Sequence, residues 1–328
     1  MNNIGVDVDS NFLVCHCLTE EGKFKGCKTF NNTSSGFRKL IKWATARSEK
    51  ARVCMEATGV YSIPLALALH CEPLIDTAVV NPRTIKKFAE ARLQRGKTDA
   101  MDAETIAEFL YRMPFRQWEP PSEEILELQL LTRRVVQLNA ELTRERNRNS
   151  AAKKMGGVGR FVANDTAVNM RHIERRIETV EQECLSLISD IPELENKLSL
   201  LKSIPGIADK TGSRILAELS SLPTEMKAKQ WVAYAGLDPR PYESGTSTHK
   251  PRRITKDGNR YLRNALYFPA LVAYRNDPNI KAFYDKLIAR GKKPIQAIVA
   301  IMRKLLLAIW GMFKSNTSWD PNKFYKMA

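Results

Sequence analysis

Histidine and cysteine are scarce in this chain, four and six of 328 residues, which leaves little material for a zinc centre or a disulfide framework. The cysteines (Cys15, Cys17, Cys27, Cys54, Cys71, Cys184) lack framework spacing and several sit in apolar runs, so they read as reduced core thiols. Cys15-His16-Cys17 has ligand-type residues, but on an extended strand its thiols face one way and the imidazole the other. No second ligand pair follows, and the triplet reads as core. Long uncharged apolar runs are missing too. The longest, Ile295 to Phe313, is interrupted by Arg303 and Lys304, which suits a buried helix and not a membrane span. The opening MNNIGVDVD has no basic-then-apolar leader pattern, so the expectation is a cytoplasmic protein with no membrane partner. Acid is short as well: 36 Asp and Glu against 52 Lys and Arg leave a net charge of +16. A surface that basic carries counterions a polyanion displaces, so nucleic acid is the leading partner class, ahead of an anionic membrane. With 43% hydrophobic and 27% charged residues, the chain reads as a folded globular protein of two or three domains.

Up to about residue 118 strands and helices alternate. NIGVDVD and FLVCHCL are strand-length apolar runs, and KFKGCKTFNN alternates like an edge strand. The helical GFRKLIKWATA follows, then strand ARVCME, helix SIPLALALH, strand IDTAVVN and a helix opening at Pro82. This order predicts a mixed sheet with helices on its faces, and it resembles the ribonuclease H-like fold. WEPPSEE, Trp118 to Glu124, marks a boundary. Beyond it Leu128, Leu131, Val135, Leu138 and Leu142 form one heptad seam. Ile173, Ile177, Val180, Cys184 and Leu187 form another, with MGGVGRF breaking the helix between them. The seams fit either a hairpin packed within one chain or a dimer contact. From about residue 199 the chain reads as helical and basic. The division is therefore 1–118 for an α/β domain, 119–198 for a coiled-coil or helical arm, and 199–328 for a helical domain.

Four carboxylates of the first domain invite chemistry. Asp7 lies in the first strand, where an unpaired charge is costly. Glu56 ends a strand in VCMEATGVY, and Asp99 and Asp102, in GKTDAMDAE, share one face of a helix start. Converging, they would make an all-oxygen cage for Mg²⁺ or Mn²⁺, able to serve phosphodiester cleavage. Each also has a structural reading: Asp99 as N-cap, Asp102 as a first-turn acid, Glu56 as a turn cap. Asp9 fits either an extra ligand or the cap of a turn.

The second concentration of polar groups is PYESGTSTHKPRR, Pro241 to Arg253, with Tyr242, Glu243, four hydroxyl residues and a basic tail. Lys250, Arg252, Arg253, Lys256, Arg260 and Arg263 make a candidate phosphate-contacting run. SIPGIADKTGSRILAEL resembles a helix-hairpin-helix, whose turn amides hold a phosphate without reading sequence. Ala208 stands where such hairpins usually carry a second glycine, and Lys210 would support the contact.

GVDV, MEATGVY, GKTDAMDAE, SIPGI, YAGLDPRPYESGTS, GNRYLRNALY and IMRKLLLAIWGM occur in the order seen in DEDD insertion-sequence transposases, the class related to Piv-type DNA invertases. The chain resembles that family from about Ile4 to Phe313. The resemblance implies a RuvC-like nuclease domain, a coiled-coil middle and a helical transposase domain. It also implies divalent metal held by Asp7, Glu56, Asp99 and Asp102, and a serine nucleophile at Ser244 that forms a phosphoserine with one DNA end before strand exchange. Nothing in the loop's own chemistry separates Ser244 from Thr246, Ser247 or Thr248. The family implies DNA and a bridge RNA as partners, a composite site across subunits, dimers assembling to a tetramer, and association with the nucleoid when active. Family members commonly follow the first acid with D-x-A-K, where this chain has Asp9, Ser10 and Asn11, so any contact made by that lysine is missing.

Three rivals remain in view. A hydrolytic RuvC-like junction nuclease would share the acids but use water. A non-catalytic nucleic-acid scaffold would need only the charge. An actin-like ATPase needs glycines after its first-strand acid, and DVDSNF has none. Within the family, transposition and site-specific inversion both stay open.

Overall fold

The computed structural model describes residues 1–46, 50–93, 96, 98–240, 243–244, 248–249 and 253–326, with the backbone alone at 243–244 and 248–249. It divides into two compact units, Met1–Pro120 and Pro121–Ala328.

The first unit is mixed α/β. Strands β1 (Asn2–Val8), β2 (Phe12–Leu18) and β3 (Phe24–Asn31) form a meander, followed by α1 (Ser34–Ala44), β4 (Ala51–Glu56), α2 (Ile63–His70), β5 (Ile75–Val80), α3 (Pro82–Ala91) and α4 (Asp99–Arg112). The sheet order is β3-β2-β1-β4-β5, with β1 antiparallel to β2 and parallel to β4. The helix starts carry real caps: Thr33, Asn81 and Thr98 each accept a first-turn amide, so the N-cap of α4 is Thr98 and not Asp99, which is its first helical residue. One core holds Ile4, Val6, Leu13, Cys15, Cys17, Val53 and Met55 beneath α1 and α2. Both thiols of the Cys-His-Cys triplet are therefore core groups, and burial pushes the Cys15 thiol up. His16 points to the opposite face, half-buried, 4.9 Å from the Phe24 ring.

That opposite face carries α4. A Cβ on Gly5 would lie 2.2 Å from the Ala107 nitrogen and 2.3 Å from the Ala103 oxygen, so helix and strand meet backbone to backbone. The direction of α4 follows from its far end. Tyr111 donates its hydroxyl to the Glu21 carbonyl, in the β2–β3 turn beside the start of β1. α4 thus runs against β1, and its first turn lies toward the end of β1 where Asp7 stands.

The second unit is mostly helical. α5 (Glu123–Lys154) and α6 (Arg160–Ser189) form a hairpin, with a short turn of 3₁₀ helix at Gly156–Gly159 between them. The two predicted seams face each other: Val135, Leu138 and Leu142 pack with Ile173 and Ile177. At the base, Leu128, Cys184 and Ile188 join the core of the following helices, α7 (Pro192–Lys202), α8 (Asp209–Ser220) and α9 (Ala228–Tyr234). An excursion of two-residue strands comes next: β6 (Pro239–Arg240), β7 (Glu243–Ser244), β8 (Thr248–His249) and β9 (Arg253–Ile254). Then follow α10 (Arg260–Ala265), α11 (Tyr267–Asn276), α12 (Pro278–Ala289), α13 (Pro294–Ser315) and α14 (Pro321–Phe324). α13 is long and apolar enough to cross a membrane by composition, yet Ile298, Ile301, Leu305, Leu306 and Ile309 are buried in this core.

Gly5→Val should lift α4 from the sheet, since both close atoms are backbone and cannot turn away. The expected result is a loss of about 3 kcal/mol of stability and faster amide exchange along β1 and α4, read by hydrogen–deuterium exchange of the full chain.

Candidate active site and nucleic-acid interface

The four acids collect at one end of the sheet. β1 and β4 run parallel with Val6 opposite Met55, so one further step brings Asp7 beside Glu56. Asp7 lies two residues beyond Gly5 and shares its α4-covered face. On α4, Asp99 precedes Ala103 and Asp102 precedes Ile106 by four residues, so both carboxylates continue rows that end in buried, sheet-packed side chains. From Gly5 to Asp7 is about 6.6 Å along the strand, and one turn of α4 back from Ala103 is about 5.4 Å. The steps match closely enough to put helix and strand acids at one level. Asp7, Glu56 and Asp102 are half-buried and Asp99 is exposed. Among the described residues, no three His, Cys, Asp or Glu side chains stand close enough together to hold a metal ion. The acids share an end of the sheet without forming a closed cage. Their chemistry is uniform: all four would offer hard oxygen donors.

Asp9 belongs to the neighbouring turn. Its Oδ1 accepts the Asn11 amide at 3.0 Å and the Ser10 hydroxyl at 3.1 Å. The Asn11 amide, then Ser10, holds its pKa below the usual carboxylate value.

Ser244 lies on β7, opposite Thr248 of β8, with Glu243 opposite His249. The segment expected as loop is a β-ribbon in its described parts. Tyr242, Lys250 and Arg252, with Thr246 and Ser247, lie outside the described residues. The stem of the ribbon is firmly closed. Pro239 pairs with Ile254 and Arg240 with Arg253, and the Thr255 hydroxyl donates to Asp238 Oδ1 at 2.6 Å. Below it Gly236 (φ +64°) and Gly258 touch, since a Cβ on Gly258 would sit 2.0 Å from the Tyr234 oxygen and one on Gly236 2.8 Å from the Gly258 nitrogen. Only glycines permit this neck.

A buried polar network underlies the neck. The Arg133 Nε and Nη2 atoms each donate at 2.9 Å to the Glu218 carboxylate, which is almost wholly buried. Asn259 Nδ2 donates to Glu218 Oε2 at 2.6 Å and to the Tyr234 hydroxyl at 2.8 Å. Asn259 Oδ1 caps α10 by accepting the Tyr261 and Leu262 amides. Burial, and after it the Glu218 carboxylate, raises the Tyr234 pKa and keeps that hydroxyl protonated. The sequence reading missed Glu218, although an acid beside Ile215, Leu216 and Leu219 on an apolar helix face was a visible signal. Arg133 and Asn259 gave none beyond the capping pattern of GNRY.

The basic candidates divide by environment. Arg253, Lys256 and Arg260 are exposed, and the Arg260 guanidinium lies 5.0 Å over the Tyr261 ring. Arg263 turns inward, donating to the Ala235 carbonyl at 2.8 Å, and burial lowers its pKa. Lys210 is tied to Glu181 at 2.6 Å, which raises its pKa. The hairpin turn beside it is packed as well: Gly206 (φ +91°) has no room for a Cβ, which would meet Val272 at 2.7 Å. Arg240 is a further candidate. It is exposed and directly opposite Arg253, and like charges so placed repel until an anion lies between them.

These features fit proteins that work on nucleic-acid strands, and comparison with known proteins defines which. Residues 4–152 match the IS110-type DEDD transposase model, described as "Transposase", and residues 198–285 match the "Transposase IS116/IS110/IS902 family" model. The chain is 32% identical to the pilin gene-inverting protein of Moraxella bovis over 97% of each chain, and equally so to that of Moraxella lacunata. It is 23% identical to the IS110 uncharacterized 43.6 kDa protein of Streptomyces coelicolor over 97% of this chain and 95% of that one. The class is therefore that of DNA transposases and recombinases, and the protein is an enzyme. More narrowly, the chain belongs to the IS110/IS116 transposase family, related to the pilin gene-inverting proteins.

Two outcomes follow. Glu218→Ala leaves the Arg133 charge half-buried without its carboxylate and should cost about 3 kcal/mol, read as a lowered urea midpoint, with Glu218→Gln milder. Arg240→Ala and Arg253→Ala should each weaken DNA binding at every sequence and flatten the log–log salt slope by about one.

Proposed function

We propose that the chain cuts and rejoins DNA strands with Ser244 as nucleophile and Asp7, Glu56, Asp99 and Asp102 as the ligands of divalent metal, Mg²⁺ or Mn²⁺. The observation that carries this reading is the gathering of the strand acids and the α4 acids at one end of a β3-β2-β1-β4-β5 sheet, in a chain that belongs to a DEDD transposase family. On this reading the first unit is a RuvC-like nuclease domain within 1–118. The α5–α6 hairpin of 119–198 is the coiled-coil arm, and 199–328 is the transposase domain.

Bound metal would supply positive charge for the non-bridging phosphate oxygens and for the oxygens that enter and leave. The chain's own groups do the rest. The Ser244 Oγ gives up its proton and forms a bond to phosphorus, the bond from phosphorus to one strand oxygen breaks, and that oxygen takes a proton. The phosphoserine keeps the ester bond, so a second DNA hydroxyl can reverse the step and join to a new end without an energy source. Glu243 and Ser244 are neighbours on an extended strand, where side chains alternate, so Glu243 is poorly placed as base. Arg240, Arg253, Lys256 and Arg260 would hold flanking phosphates. Acids and serine lie on different compact units, which suits a site completed between subunits, dimers joining as a tetramer. In this reading a guide RNA carries the sequence specificity, and the work is done at the nucleoid.

Ser244→Ala and Asp7→Asn should each reduce strand cleavage of element-end DNA, with Mg²⁺ and the co-purified RNA, by at least 1000-fold while DNA binding persists. Denaturing gels of wild type should show a protein–DNA adduct that Ser244→Ala lacks. Continued cleavage by that variant means water is the nucleophile, as in a junction nuclease. Site-specific inversion is the second reading, favoured by the identity to the pilin gene-inverting proteins. Sequenced products separate it from transposition.

A further inference from the structure

The end of the sheet that carries the acids also carries exposed rings that folding leaves unused. Phe12 is 52% exposed and Tyr61 50%, with Val60 beside it at 59%. Other exposed aromatics of this unit have partners: Phe24 lies against His16, and the Tyr111 hydroxyl is bonded to the Glu21 carbonyl. Register and chain order place Phe12 and Tyr61 relative to the acids. Val14 faces Asp7 across the β1–β2 ladder, and Phe12, two residues before it on β2, shares its face about 6.8 Å further along. Tyr61 follows Glu56 by five residues, in the short helical turn Gly59–Tyr61 at the end of β4.

The backbone beneath both rings is fixed. The Asp9 amide donates to the Phe12 carbonyl at 3.0 Å, and the Asn32 amide to the Asn11 carbonyl at 2.8 Å. Asn32 Nδ2 then bridges the two sides, donating to the Asp9 carbonyl at 2.7 Å and the Tyr61 carbonyl at 3.2 Å. One side chain thus ties the β1–β2 turn to the segment after β4, and Asp9 stiffens that turn from within. Rings held on a rigid frame lose little freedom on binding a flat partner.

We propose that Phe12 and Tyr61 form a stacking shelf for a nucleobase of the DNA next to the phosphate that is cut, with the Asn32 bridge as its positioning residue. A base offers two apolar faces and suits exposed rings, whatever its identity. The charge of the chain and its family bring DNA to this protein, and the acids mark where a backbone phosphate must come. A duplex keeps its bases stacked on one another, so the shelf is suited to a base splayed out at the cutting position, which would turn that phosphate toward the acids. The shelf rests on the reading of the acids as the cleavage site.

The test uses the full chain and a 20-nucleotide single strand carrying one 2-aminopurine, with a second strand carrying 5-iododeoxyuridine for photocrosslinking. Stacking predicts altered 2-aminopurine fluorescence, a crosslink in the peptide containing Tyr61 or Phe12, and a five-fold or greater loss of affinity in Tyr61→Ala. Tyr61→Trp should keep the affinity. Asn32→Ala should lower it while leaving duplex binding unchanged, a split that a general loss of folding would not give. Unchanged single-strand affinity in Tyr61→Ala, or crosslinks confined to the helical unit, would overturn the shelf. So would self-association lost in Tyr61→Ala with no change in fluorescence, since the rings would then meet protein. Cleavage assays of Asp7→Asn separate the two readings: an active Asp7→Asn removes the acid site, whatever the shelf does.

Discussion

The first unit depends on the direct contact of α4 with β1 at Gly5. A helix normally rides above a sheet on its side chains. Here a glycine below and Ala103 and Ala107 above let the two backbones approach until a single Cβ would collide with peptide atoms. Because α4 runs against β1, the contact fixes both the level and the roll of its first turn. Two acids of the helix and two acids of the strands then share one end of the sheet. Asp99 stays exposed and the other three are only half-buried, which limits the desolvation each carboxylate meets at that place.

The second unit solves the corresponding problem with charge in place of closeness. Its ribbon leaves the helical body at Gly236 and returns at Gly258, and both ends are held by bonds to Tyr234, Ala235 and Glu218. A buried carboxylate gripped by a bidentate arginine is a poor source of stability compared with apolar packing. It is directional, though, and ties α5, α8 and α10 to a single arrangement. The arm and the ribbon therefore share a root.

The first unit was largely legible in the sequence because period and punctuation agreed there. β2 and β4 fall on the runs FLVCHCL and ARVCME, and Thr33, Asn81 and Thr98 cap helices that their patterns announced. The heptad seams were equally plain, but whether they met within one chain was not, since a seam has the same spacing against any partner; Val135, Leu138, Ile173 and Ile177 meet internally. The ribbon was read as loop because its strands are two residues long, too short for any periodicity to register. Among the candidate site residues the acids stood out by position. For Arg263 and Lys210 the charge is visible in sequence and its partner is not. The Ala235 carbonyl and Glu181 occupy them. Glu218, Gly236 and Gly258 act through contacts between residues 20 to 85 apart, which no local pattern encodes.

On the reading of the four acids as metal ligands, the distribution of charge separates metal binding from the attraction of DNA. An end of a sheet bearing four carboxylates repels a phosphate backbone, so it cannot by itself recruit DNA. The attraction must come from elsewhere in a chain of net charge +16, and its exposed arginines and lysines around the ribbon stem can supply it. Attraction by such residues would be long-ranged and screened by salt, whereas on the metal-site reading the acids would act only at contact and only with their charge neutralised. On that reading the basic groups attract the strand without acting on it, and the acid end would accept a phosphate only once bound metal had offset its own charge.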